Sequence, residues 1–259
     1  MQITEENIKD LISLNEFYEK GYQYTIMYIA RIHSQAEFLF SKVILLEDKL
    51  YSKYEISEII EAFTIKSICD WEWYIERMLC ETLKNDTTKL SETLDLVLPK
   101  KISTDECFVY LNGLNYFDLK NASNLKDISK KILVDDYNPY LKISNEAKNK
   151  IDEFYIIRNY VAHKSKKSKK SLMNIYKKYD ILEFRDAGEF LLSKGNENSK
   201  TIMVQDYGSA FWLSAFNILE FLYPKIYKWI VTEEKIYNEK CHLRLDYLMH
   251  LSSKKTKIT

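Results

Sequence analysis

What most restricts the fold of this chain is how seldom it can turn sharply. Five glycines and three prolines serve all 259 residues, against averages near ~7% and ~5%. Sheets and sandwiches need such residues at every reversal; long helices joined by few tight turns do not. The chain is therefore expected to be all-α, and its length and apolar content suffice for a real core in one large domain or two small ones.

Apolar residues recur at helical spacing over two long segments, about 22–50 and 55–84. A short helix is expected before them, after Thr4, with Gly21 as its C-cap. Asn85-Asp86, Pro99, Gly113 and Asn138-Pro139 cut residues 85–143 into short helical pieces. Ser144 suits the N-cap of a helix over 144–163, and the lysine run behind it is expected to fray or turn. Asp206 is expected to cap a last pair of long helices, about 206–231 and 233–252. The implied organisation is an N-terminal helical extension (1–50) packed on a bundle, a main domain (51–252) and a disordered tail (253–259).

Charge narrows the function classes. Thirty-eight basic and thirty-eight acidic residues cancel, so no global field draws the chain to nucleic acid or membrane, and any basic surface is local. The start, MQITEENIKD, is not a secretory signal. The most apolar stretch, residues 211–231, carries Glu220, Lys225 and Lys228, which a membrane span tolerates poorly. Cys69, Cys80, Cys107 and Cys241 form no CxxC and no close pair, so neither a disulfide framework nor a zinc site is indicated. A cytoplasmic protein without cofactor or metal is expected.

One arginine stands out. Wound at roughly 100° per residue, the segment 151–163 gathers Ile151, Phe154, Tyr155, Val161 and Ala162 into an apolar stripe with Arg158 in its middle. A charge there needs a partner, because stranding it costs several kcal/mol. In the segment 65–83 the apolar face of Ile65, Ile68, Ile75, Leu79 and Leu83 contains Glu72, with Glu76 at its edge, so an Arg158–Glu72 pair is expected. The bland alternative is that both side chains snorkel to the surface. Asp152, Asn159 and His163 make a polar stripe beside the apolar one. Imidazole titrates near neutrality and is the usual proton shuttle, although a surface histidine at a helix end is the plainer account. Lys164, Lys166, Lys167, Lys169 and Lys170 concentrate five positive charges beside it, which fits a phosphodiester. Arg158 lies ~140° around the helix from His163. The two meet only if the helix end unwinds, or if two copies of the helix face each other across a two-fold axis.

At these residues the chain resembles a family. RNYVAH, Arg158 to His163, is similar to the Rx4–6H motif of HEPN domains in its four-residue-spacer form, with an Asn after the Arg. The resemblance extends to the preceding NLKDISKKIL and NPYLKIS and to the lysine-rich exit; it covers roughly residues 55–235 and is strongest over 121–168. It implies a HEPN-like helical bundle with long antiparallel helices, 51–252 being the nuclease domain, usually a homodimer with the motif helices facing each other. It implies a metal-independent endoribonuclease of the kind found in toxin–antitoxin and antiviral defence systems, with RNA as partner and an antitoxin or other regulatory protein as a further one. The resemblance makes Arg158 and His163 catalytic with Asn159 in support; the helical wheel adds Asp152, Glu72 and Glu76 as supporting residues, and the charge run adds the five lysines as RNA-binding. The alternative is a non-catalytic HEPN-fold module binding RNA, a nucleotide or a partner protein. A metal enzyme built on His242 and His250 is disfavoured, since they sit ~80° apart on a helix without an acidic motif; core or surface is the better account of both, and of His33.

Overall fold

A computed structural model describes residues 21–44, 50–114, 119–195 and 201–231. The expected short helix after Thr4, the helix at 233–252 and the tail 253–259 lie outside the described residues. Within them the chain is all-α, with no strand and an isolated antiparallel bridge between Lys194 and Ile202.

Four helices close the core. They are α1 (Gly21–Phe38), α2 (Lys53–Leu83), α6 (Asn145–His163) and α9 (Met203–Leu222). α1 packs on α2 and α9, and α6 packs on the same two, so the four form a ring. Aromatic rings fill its centre. Tyr28 of α1 stacks on Tyr74 of α2 at 4.6 Å, and Phe211 of α9 meets both Trp71 of α2 and Phe154 of α6 edge-on at 5.3 Å. α1 thus supplies one wall of the ring. In a core so rich in tyrosine the hydroxyls favour partners, although those of Tyr140 and Tyr155 close no hydrogen bond. Tyr74 pairs with Thr25, Tyr207 donates to Glu153 at 2.9 Å and Tyr176 donates to the Arg185 carbonyl at 3.0 Å.

The short pieces between α2 and α6 follow the punctuation. They are α3 (Thr88–Leu94), α4 (Thr104–Gly113), α5 (Ala122–Ile132) and two 3-10 turns, Asp135–Tyr137 and Pro139–Lys142. After α6 come α7 (Lys166–Lys177) and α8 (Ala187–Leu192), then α9 and α10 (Pro224–Val231). The expected helix at 206–231 is therefore two, since the ring of Pro224 cannot continue α9. Asp206 lies inside the first turn of α9, where it accepts from Thr201 at 2.5 Å, and the Ile202 N–H donates to Gln205 at 3.0 Å.

Gly21 is helical and has no positive φ, so it is not the expected C-cap. It lacks a side chain for another reason: a Cβ would collide with the Tyr223 hydroxyl.

Candidate functional site

The helix that carries the motif is fastened at both ends. Ser144 accepts from the Ala147 N–H at 3.1 Å, the N-cap bond that satisfies a free donor of the first turn. At the other end Lys164 turns left-handed (φ 43°) and its N–H closes on the Tyr160 carbonyl at 2.7 Å. α6 stays helical through His163, so the unwinding that would swing His163 toward Arg158 does not occur. The lysine run does not fray either. Ser165 and Ser168 cap each other at 3.0 and 3.1 Å, and α7 starts at Lys166 and buries Leu172, Ile175 and Tyr176.

The buried face of α6 is Ile151, Phe154, Tyr155, Ile157 and Tyr160; Val161 is half-buried and Ala162 exposed. The predicted stripe thus does not hold over its last turn, where Ile157 and Tyr160 are buried in place of Val161 and Ala162. On α2, Ile65 is likewise exposed, while Ile68, Ile75, Leu79 and Leu83 are buried. Arg158 does meet Glu72, Nη2 to Oε1 at 3.1 Å, with 25% and 26% of the two side chains exposed. Its Nη1 donates to Asn159 Oδ1 at 3.1 Å, and its guanidinium lies 5.8 Å from the Tyr155 ring centre. These bonds orient the guanidinium and leave part of it open.

Around the pair is a cleft of about 600 Å³, between α2, α6 and the start of α5. It is lined by Glu72, Glu76, Lys120, Asn121, Asp152, Tyr155, Arg158 and Asn159, among others. The carboxylates differ in their ties. Asp152 accepts from the Ser123 N–H at 3.1 Å and its hydroxyl at 2.5 Å, with Lys148 at 3.8 Å, so it anchors the start of α5. Glu76 is half-buried and makes no hydrogen bond or ion pair with another described residue; burial pushes its pKa up, Arg77 opposes this and Glu72 adds to it. The Tyr155 hydroxyl is buried and closes no hydrogen bond. Burial, and then the Glu72 carboxylate, push its pKa up. Sequence reasoning missed Tyr155, Lys120 and Asn121 as cleft residues. Asn121 had a signal, an Asn ahead of a short helix whose side chain accepts from the Asn124 N–H at 2.7 Å. Lys120 had none.

His163 is exposed and lines a second hollow of about 320 Å³ with Ile156, Asn159, Lys167, Ser168 and Ser171. No carboxylate lines it. The two hollows share Ile156 and Asn159, but within one chain Arg158 and His163 open into different ones. The lysines divide as well. Lys167 alone of the five lines the histidine's hollow, Lys164 lies 3.7 Å from Glu61, and Lys169 sits 3.7 Å over the Phe184 ring. Lys166 and Lys170 are exposed. The five lysines cannot aim at one point, because Lys164 lies before α7 and residues 166 to 170 span more than a turn of it.

Among the described residues no three His, Cys, Asp or Glu side chains stand close enough to hold a metal ion, and no helix is long and apolar enough to cross a membrane. His33 is exposed, at the rim of a separate apolar cavity; His242 and His250 lie outside the described residues. No protein-family model, curated protein or solved structure matches the chain.

Proposed function

We propose that this chain is a HEPN-type, metal-independent endoribonuclease that works as a homodimer. The observation carrying this reading is the oriented Arg158, held by Glu72 and Asn159, next along α6 to a hollow where His163 stands with Lys167. RNA brings its own nucleophile, the 2′-OH. An enzyme needs only to place it, move a proton and stabilise the crowded phosphorane. His163 takes the proton from the 2′-OH or returns one to the departing 5′-oxygen. Arg158 donates charge-assisted bonds to the non-bridging oxygens, and Lys167 adds a positive charge on the histidine's side. The products are a 2′,3′-cyclic phosphate and a 5′-OH.

The dimer follows from the wheel. Asp152, Ile156, Asn159 and His163 lie within ~60° of one another on α6, and all four are half-buried or exposed. Two such stripes face to face would bring the histidine of one copy toward the Asn159 that holds the arginine of the other, which one chain does not do. An antitoxin or other regulatory protein would act by covering this stripe. The reading is tested by incubating RNA with wild type and His163→Ala in the presence of EDTA, and by identifying the product ends. Cyclic phosphate ends from wild type alone support it; cleavage that chelation stops, or that the variant retains, overturns it.

A second reading, a module that binds RNA, a nucleotide or a partner without cutting, is favoured by one observation. His163 makes no hydrogen bond with a described residue, whereas a catalytic imidazole is usually oriented through its second nitrogen. Binding of uncleaved RNA by both proteins would select this reading.

A further inference from the structure

Apart from the phosphate contact assigned to Arg158, its cleft is ill suited to an anion. Glu72, Glu76 and Asp152 face it against two cations, Lys120 and Arg158, so its lining carries one net negative charge. An RNA chain offers a second kind of surface, the edges of unstacked bases, which proteins read by hydrogen bonds. We infer that this cleft is a nucleobase subsite that takes a guanine of the RNA. The inference rests on the nuclease reading for its source of guanine, not for the fit.

The fit is one of donors and acceptors. Glu72 spends an oxygen on Arg158 and Asp152 holds the start of α5, but Glu76 offers both carboxylate oxygens and has no donor among the described residues. An ionised carboxylate accepts only. On their Watson–Crick edges adenine and cytosine set one amino donor beside a ring-nitrogen acceptor, and uracil sets one imino donor between two carbonyls. Guanine alone sets two donors side by side, N1–H and the 2-amino group, spaced as two carboxylate oxygens are. Its remaining edge atom, O6, is an acceptor, and Lys120, Asn121 and Asn159 bring donors to the same cleft.

Tyr155, only 3% exposed, lines the same cleft, and its hydroxyl is shut away beside the Glu72 carboxylate. The volume, about 600 Å³, admits a base with its ribose. Because the cleft and the histidine's hollow share Asn159 and Ile156, a guanine here would set its own phosphate near His163. Cleavage would then fall beside guanosine.

Two measurements on the full chain test this. Equilibrium binding of the four nucleoside 3′-monophosphates, to wild type and to Glu76→Gln, reads the subsite without any cleavage. Mapping the cut positions on an unstructured RNA containing all four bases reads its use. Gln replaces one acceptor with a donor and mismatches guanine's pair. The expected result is that wild type binds guanosine 3′-monophosphate about tenfold or more tighter than the others, that Glu76→Gln loses this preference, and that wild-type cuts cluster beside guanosine. Equal binding of the four nucleotides overturns the inference, as does a guanine preference that Glu76→Gln keeps. Selective binding with cuts indifferent to base assigns the cleft to a free guanine nucleotide and overturns its role in the substrate. Selective binding with no RNA cleavage at all keeps the guanine site and removes the nuclease reading.

Discussion

Removing the Glu72 carboxylate tests how far the motif depends on its support. Glu72→Ala leaves Arg158 with Asn159 and the open side of the cleft. Breaking a fully buried pair by losing one partner costs about 3–5 kcal/mol, and exposed pairs are worth about 0.2–1 kcal/mol. With about a quarter of each side chain exposed, screening reduces the buried figure roughly by half, to about 2 kcal/mol. In a chain of this size each kcal/mol moves the melting temperature by about 2–4 °C, so a fall of about 4–8 °C is expected. The assay is a double-mutant cycle by urea and thermal unfolding, with Glu72→Ala, Arg158→Ala and both together. The double variant should be little worse than either single one, because each single change already breaks the pair. Effects that add to within about 0.5 kcal/mol would mean that the two groups are uncoupled, and that the 3.1 Å contact does not orient the arginine.

Other outcomes follow from the same geometry. His163→Ala should cut RNA about 10²–10⁴-fold more slowly while melting within a degree or two of wild type, since an exposed helix-end side chain holds little of the fold; a large loss of stability would show a structural role instead. Glu76→Gln should raise the melting temperature at neutral pH. Its folded pKa is raised, so the ionised form is disfavoured in the native state, and stability is lost as pH rises through its unfolded value; an unchanged or lower melting temperature would refute this. Alkaline pH should destabilise the whole bundle. Burial raises Tyr28, Tyr74, Tyr140 and Tyr207 above the ordinary phenol value of 10.0, so the folded state holds protons that the unfolded chain releases. The stability is present below pH 10 and falls above it; melting curves that stay level well above pH 10 would contradict the sign. Sedimentation should show a homodimer at micromolar concentration, converted to monomer by Ile156→Asp. An active wild-type monomer would dispose of the shared cleft.

The sequence by itself determined the features that depend on nearest neighbours and on one periodicity. Scarce glycine and proline made the chain all-α, the Ser144 cap placed the start of α6, and the breaks between residues 85 and 143 came where helices end. Even one long-range contact was legible. Arg158 and Glu72 each sit on or beside an apolar face, and two charges so placed are costly apart and tolerable together. What only the tertiary structure decided is which face of each helix the neighbours cover and which way the polar ends point. Ala162 and Ile65 are apolar and fall on the predicted faces, yet both are exposed. Gly21 serves a close approach by Tyr223, a contact some two hundred residues distant. The lysine run reads as one basic patch in the sequence, but a left-handed Lys164 and a Ser165–Ser168 cap turn it into a new helix, which sends Lys164 to Glu61 and Lys169 to Phe184 and leaves Lys167 with the histidine. Asp152, on the polar stripe, is drawn off to hold α5. The acid-lined cleft exists only because α2, α5 and α6 converge there. Local periodicity sets where a side chain lies on its own helix; the shape between helices depends on all of them at once.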